Sequence, residues 1–283
     1  MLRARLVPAL ALLIALGCEG TIELSIAEDA GPRSGPRVDA SFLGGGGDAG
    51  GVPPSGFDAG APPSIPDAGT PGLTWKAILV SGDDSITAFD NARHTLSGMF
   101  AEGVDSANLL QLSRTRSEQV GGVRDTTADN IEQALTELAV GEGDACLVHM
   151  TSHGSREGFY IARANTLTPS RMAQILDHAC GDRPTVVLIS ACYSGVFLDD
   201  LAAPNRVILT AAREDRTSFG CSAEAEYTYW DGCLIDELPA ATTWSGLYAS
   251  VTKCIEGKEG GFTPSYPQVS LGSEVMDLRI FGR

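Results

Sequence analysis

The chain has 283 residues, a formal net charge of −16, 43% apolar and 6% aromatic residues, 33 Gly and 15 Pro. That length holds one large domain or two small ones, and the Gly and Pro excess marks a non-globular stretch diluting an ordinary core. The acidic balance excludes nucleic acid as a partner, because phosphate binding runs on Lys and Arg.

The chain opens as a targeting segment. Arg3 and Arg5 precede an apolar run from Leu6 to Leu16, shorter than the roughly 20 residues a membrane span requires. The run ends in Ala15-Leu16-Gly17-Cys18, which resembles a bacterial lipobox with Cys18 as the lipid-accepting residue. A plain secretory signal cut nearby is the alternative. Lipid on Cys18 together with an amino-terminal acyl chain supplies the several buried chains that stable anchoring needs. The expected location is that of an exported bacterial lipoprotein at the outer membrane or cell surface, touching the membrane through its anchor only. Residues 19–73 carry Gly44 to Gly47, Pro53-Pro54, Pro62-Pro63 and four Asp-Ala-Gly triplets. Such a stretch buries too little apolar surface to offset its ordering entropy, so a disordered tether is expected, about 40 Å root-mean-square as a flexible coil.

From Thr74 to the last residue, 283, the texture is that of a single α/β domain. Lys76 to Ser81 reads as a buried strand, followed by a helix carrying Ala92, Leu96, Met99 and Phe100. Asn108 to Leu112 is a second strand. Thr127 caps a helix with Ile131, Ala134, Leu135 and Leu138 on one face. Ala145 to Thr151 is a third strand, and Thr168-Pro169 starts a helix with Met172, Ile175, Leu176 and Ala179 inward. Thr185 to Ala191 and Arg206 to Ala211 are two further apolar strands. Continuous apolar strands separated by helices predict a mostly parallel sheet covered on both faces. Leaving Cys18 aside, six cysteines remain, and an exported location permits disulfides among them.

Open parallel sheets bind ligands beyond the carboxyl ends of their strands. Two strands end there in reactive residues. One exits through Ser152-His153-Gly154-Ser155, the next through Ala191-Cys192-Tyr193-Ser194-Gly195. If these strands are neighbours, His153 and Cys192 face each other across about 4.8 Å of strand spacing. An imidazole beside a thiol is what a cysteine nucleophile needs. The backbone N–H groups of Gly154 and Cys192 would receive the developing oxyanion. His149 and His153 could bind zinc together on a helix, but on a strand they lie about 13 Å apart, so no metal is expected and no cofactor is needed.

These residues also resemble a family. From Trp75 to Gly282 the chain is similar to the legumain-type asparaginyl endopeptidases, and more distantly to caspases and the glycosylphosphatidylinositol transamidase catalytic subunit. The likeness rests on Thr151 to Ser155 as a histidine loop and Ser190 to Gly195 as a nucleophile turn. It rests further on Asn91-Ala92-Arg93-His94 at the first helix, on Thr210 to Cys221 as a specificity loop, and on a closing strand from Val275 to Gly282. The resemblance implies a caspase-like three-layer sandwich, its mostly parallel sheet flanked by helices. It makes Cys192 the nucleophile, His153 the general base and Asn91 the residue orienting the imidazole. Arg93, Ser190, Ser218 and Asp231 would bind the substrate side chain, with Asp231 as the counter-charge to Arg93. The family carries acids where this chain has Ser190 and Tyr193, which would leave Arg93 less compensated and draw preference from Asn toward Asp. The implied activity is hydrolysis of peptide or protein substrates after Asn or Asp through a thioester. A transpeptidase or ligase, and an inactive surface lipoprotein using the fold as a binding module, are the alternatives.

Overall fold

The computed structural model of the chain describes residues 72–162 and 165–283. The targeting segment, Cys18 and nearly all of the expected tether lie outside the described residues. In chain order the elements are β1 (Thr74–Ser81), α1 (Ala88–Phe100), β2 (Leu109–Ser113), β3 (Arg124–Asp125), α2 (Ala128–Glu137) and β4 (Asp144–Thr151). A small antiparallel unit follows, of β5 (Gly154–Ser155), β6 (Gly158–Ile161) and β7 (Asn165–Leu167). Then come α3 (Pro169–Ala179), β8 (Thr185–Ser190), α4 (Leu198–Leu201), β9 (Arg206–Thr210), α5 (Tyr229–Glu237), α6 (Trp244–Lys258) and β10 (Gln268–Leu271).

The main sheet has the order β10-β9-β8-β4-β1-β2-β3, parallel throughout except for β10 at one edge. Its strands are apolar along their whole length because both faces are covered. Trp75, Ala77, Leu79, Ala145, Leu147, Val186 and Leu188 point to one face, where they pack with Leu96 and Phe100 of α1, Trp230 and Leu234 of α5 and Leu247 and Val251 of α6. The alternate residues Ile78, Val80, Cys146, Val148, Met150, Val187 and Ile189 pack with Ile131 and Leu135 of α2 and Met172, Ile175 and Leu176 of α3. The result is the expected three-layer sandwich.

Local chemistry sets the helix starts. Thr127 accepts a hydrogen bond from the Asn130 N–H, and Thr168 accepts one from Arg171 with Pro169 just inside the helix. Thr228 and Thr243 cap α5 and α6 in the same way. Two disulfides join described residues, Cys146 to Cys180 and Cys233 to Cys254.

The closing strand expected at Val275 to Gly282 lies earlier in the chain. The antiparallel edge is β10, paired to β9 from Gln268↔Thr210 to Leu271↔Val207. Val275, Leu278 and Ile280 are buried, but their spacing does not alternate, so they fill the core as a series of turns rather than as a strand.

Candidate active site

β4 and β8 are adjacent and parallel, and their register pairs Thr151 with Ser190 at the carboxyl ends. His153 and Cys192 therefore each stand two residues beyond a register pair, on the same edge of the sheet. The ladder continues past the strands, because the Ser152 N–H donates to the Ser190 carbonyl at 3.1 Å. One residue on, the two exits touch. A Cβ placed on Gly154 would stand 2.4 Å from the Cys192 carbonyl oxygen and 3.0 Å from the Ala191 Cβ. Only glycine permits so close an approach of the histidine loop to the nucleophile turn.

The Gly154 N–H faces away from the small sheet. Tyr160 N–H donates to the His153 carbonyl at 3.0 Å, which puts the Gly154↔Phe159 pair at a non-hydrogen-bonded position of the ladder.

The nucleophile turn is held in a costly conformation. Tyr193 has φ of 57° and ψ of 14°, the left-handed region, which costs a non-glycine residue about 1 kcal/mol or more. Its N–H donates to the Arg216 carbonyl at 2.8 Å, and the Arg156 guanidinium lies 5.7 Å from its ring centroid. Gly195 donates to the Ala212 carbonyl at 2.8 Å, and a Cβ there would meet the Glu214 nitrogen at 2.5 Å. The turn is thereby seated against the loop that leaves β9. From that loop, the Ser218 N–H donates to the Cys192 Sγ at 3.3 Å, and the Ser218 Oγ lies 3.7 Å from the sulfur. Cys192 itself is only 1% exposed. Ser218, expected in the wall of the substrate pocket, thus stands beside the thiol.

His153 is half-buried. Its Nε2 lies 2.9 Å from the Ser85 Oγ, and the Phe89 ring meets the imidazole edge-on at 5.1 Å between centroids. The Nδ1 atom is buried, with no hydrogen-bond partner among the described residues.

Four expectations are revised by the geometry. Asn91 does not hold the imidazole: its Nδ2 donates to the Glu226 carbonyl at 3.0 Å, since the first turn of α1 points that amide at the loop before α5. Arg93 is 1% exposed and committed elsewhere, with Nε on Asp90 at 3.0 Å, a terminal nitrogen on Glu118 at 2.8 Å and the other on the Gln111 side-chain Oε1. Gln111 belongs to β2, which lies beyond β1 on the side away from β4 and β8, so α1 carries the guanidinium outward. Asp231 is fully buried and faces His149 rather than Arg93, with Oδ1 3.1 Å from the His149 Nε2. Ser190 is 1% exposed and donates to the Asp231 Oδ2 at 2.8 Å, so it underlies the site rather than lining it.

Asp231 also accepts from the Thr151 hydroxyl at 2.6 Å and the Thr228 hydroxyl at 2.9 Å, and its own N–H donates to the Thr228 Oγ at 3.0 Å. One buried carboxylate thus ties β4, β8 and the start of α5 together, directly beneath His153 and Cys192. His149 is 0% exposed, a core residue of β4. Sequence reasoning missed Thr228 and Ser85. Thr228 carries a legible signal, a threonine three residues before an acid ahead of a helix.

The comparisons with known proteins agree with this frame. Residues 124–242 match the model of the Peptidase C13 family. Caspase-1 from Spodoptera frugiperda is a structural match with a TM-score of 0.52 at 14% identity, covering 72% of this chain and 90% of that one. No curated protein matches the sequence. The matched stretch contains both the histidine loop and the nucleophile turn.

Proposed function

We propose that this legumain-type chain of caspase-like fold is a cysteine endopeptidase that cleaves after Asn or Asp, anchored to a membrane by lipid on Cys18. The family match supports a cysteine-type peptidase acting on proteins. The observation that carries the finer reading is the shared exit of His153 and Cys192 two residues past the Thr151↔Ser190 pair. In this reading the imidazole takes the thiol proton, the sulfur attacks the scissile carbonyl, and the C–N bond breaks as the imidazolium returns that proton to the leaving amine. The N–H groups of Gly154 and Cys192 hold the oxyanion, and water resolves the thioester.

Arg93 is paired with Asp90 and Glu118 away from the thiol, so it supplies no pull from Asn toward Asp. Ser218, beside the thiol, is the residue best placed to touch the substrate side chain. Export to an oxidising compartment fits the two disulfides that join described residues.

A peptide-library cleavage profile of the full chain tests this. Cuts concentrated after Asn, fewer after Asp, and none with Cys192→Ala support the reading. Undiminished cleavage by Cys192→Ala defeats it. A binding module is the second reading, favoured by the 1% exposure of Cys192, and it predicts no cleavage by either protein.

A further inference from the structure

We propose that Ser85 is the positioning residue of His153, its hydroxyl oxygen accepting the Nε2 proton so that Nδ1 is the nitrogen that takes the Cys192 proton. This rests on the peptidase reading given above. It fills the place that the resemblance assigned to Asn91, whose amide is used on Glu226.

The hydroxyl is well fixed. Ser85 Oγ stands 2.9 Å from the ring nitrogen, and the Ser85 N–H donates to the Asp83 Oδ1 at 2.8 Å, an Asx turn built on a carboxylate that is 1% exposed. The loop behind it is pinned to the strand that carries His153. Gly82 N–H donates to the Thr151 carbonyl at 3.0 Å, and Ala162 N–H donates to the Gly82 carbonyl at 2.8 Å. A Cβ on Gly82 would meet the Tyr160 carbonyl at 2.4 Å and the Phe159 ring at 2.5 Å, so this loop is pressed against the β6 strand. Phe89, fully buried, sets the plane of the imidazole by its edge contact at 88°. Ring plane and one nitrogen are therefore both held, and the other nitrogen is left to the reaction.

The tautomer follows from the donor and acceptor inventory. A neutral imidazole carries one N–H. If Nε2 carries it and donates to Ser85, Nδ1 presents a lone pair, and Nδ1 is the buried atom with no partner among the described residues. When the Cys192 S–H bond breaks, its proton forms a bond to Nδ1 and the electron pair stays on sulfur. The resulting imidazolium keeps its Nε2–H on the Ser85 oxygen, which stabilises the ion pair. A serine that instead donated to Nε2 would place the proton on Nδ1 and leave no base for the thiol.

The experiment compares full-length wild type, Ser85→Ala, Ser85→Thr and Cys192→Ala. Two readouts are taken across pH, the kinetics on Asn-terminated fluorogenic peptides and the rate of carboxymethylation of Cys192 by iodoacetate, mapped by mass spectrometry. The expected result is a kcat lowered about tenfold in Ser85→Ala with KM within about twofold. The pH dependence of alkylation shifts in step, and Ser85→Thr restores both because it keeps the acceptor oxygen. Ser85→Ala with unchanged kcat and an unchanged alkylation profile, while Cys192→Ala is inactive, overturns the role of Ser85 and leaves the peptidase standing. Activity that survives Cys192→Ala removes both.

Discussion

Thr151 and Ser190, register partners on neighbouring strands, donate their hydroxyl protons to the same oxygen, Asp231 Oδ2, at 2.6 and 2.8 Å. The carboxylate comes from α5, so a helix start fixes the spacing of the two strands that lead into His153 and Cys192. Removing it strands three hydroxyls and His149 in the core. Asp231→Ala is expected to cost about 3 kcal/mol, an unpaired buried network being that expensive. Thermal unfolding followed by circular dichroism should show a midpoint roughly 6 to 12 °C lower in a domain this size. A loss under about 2 °C would mean the network is replaceable.

Arg93 offers a sharper contrast between stability and specificity. Its guanidinium is engaged by Asp90, Gln111 and Glu118. Arg93→Ala leaves those groups unpaired, so a destabilisation of about 3 kcal/mol is expected. The ratio of kcat/KM between Asn and Asp peptides should stay within about twofold of wild type. A large change in that ratio, with little loss in unfolding midpoint, would return Arg93 to the substrate pocket.

Gly154 is where the two loops meet. A methyl group there collides with the Cys192 carbonyl at 2.4 Å, backbone that cannot swing aside as a side chain does. Gly154→Ala is expected to lower kcat by roughly a hundredfold, the scale of a displacement near 1 Å in a reacting pair. A fold check by circular dichroism should change little, since the clash is confined to the rim.

The loop behind the thiol contains an ion-paired carboxylate, Asp215. The Arg213 guanidinium, bonded to Asp215 at 2.6 Å, holds that carboxyl below its usual range. A depressed folded value means the contribution to stability is complete above the ordinary carboxylate range and is lost only as pH falls through the lower folded value. Asp215→Asn should therefore leave the shape of the activity profile between about pH 5 and 8 unaltered, since that carboxyl is ionised throughout the window. A moved limb in that window would assign the titration to Asp215.

Much of this was legible in advance. The strands ending at Thr151 and Ser190 were visible as apolar runs, and burial of both faces is what made them so. Thr127, Thr168 and Pro169 announced their helices because a cap is a local bond between neighbours in sequence. Asn91, Arg93 and Asp231 went otherwise because a resemblance carries residue order, whereas the direction of a side chain depends on which strand lies beside its helix. Arg93 reaches β2 and Asp231 reaches β4 and β8, a difference fixed by sheet order alone. The edge strand was displaced for a related reason: Val275, Leu278 and Ile280 are apolar enough for a strand, but only pairing decides, and the pairing belongs to Gln268–Leu271.

The most direct measurement is intact-mass and peptide-mapping analysis of the full chain after exposure to a peptidyl electrophile ending in Asn. The account predicts one adduct, on Cys192, formed at least about a hundredfold more slowly when His153 is replaced by Ala. An adduct on another residue, or labelling of Cys192 at the same rate without the imidazole, would contradict it.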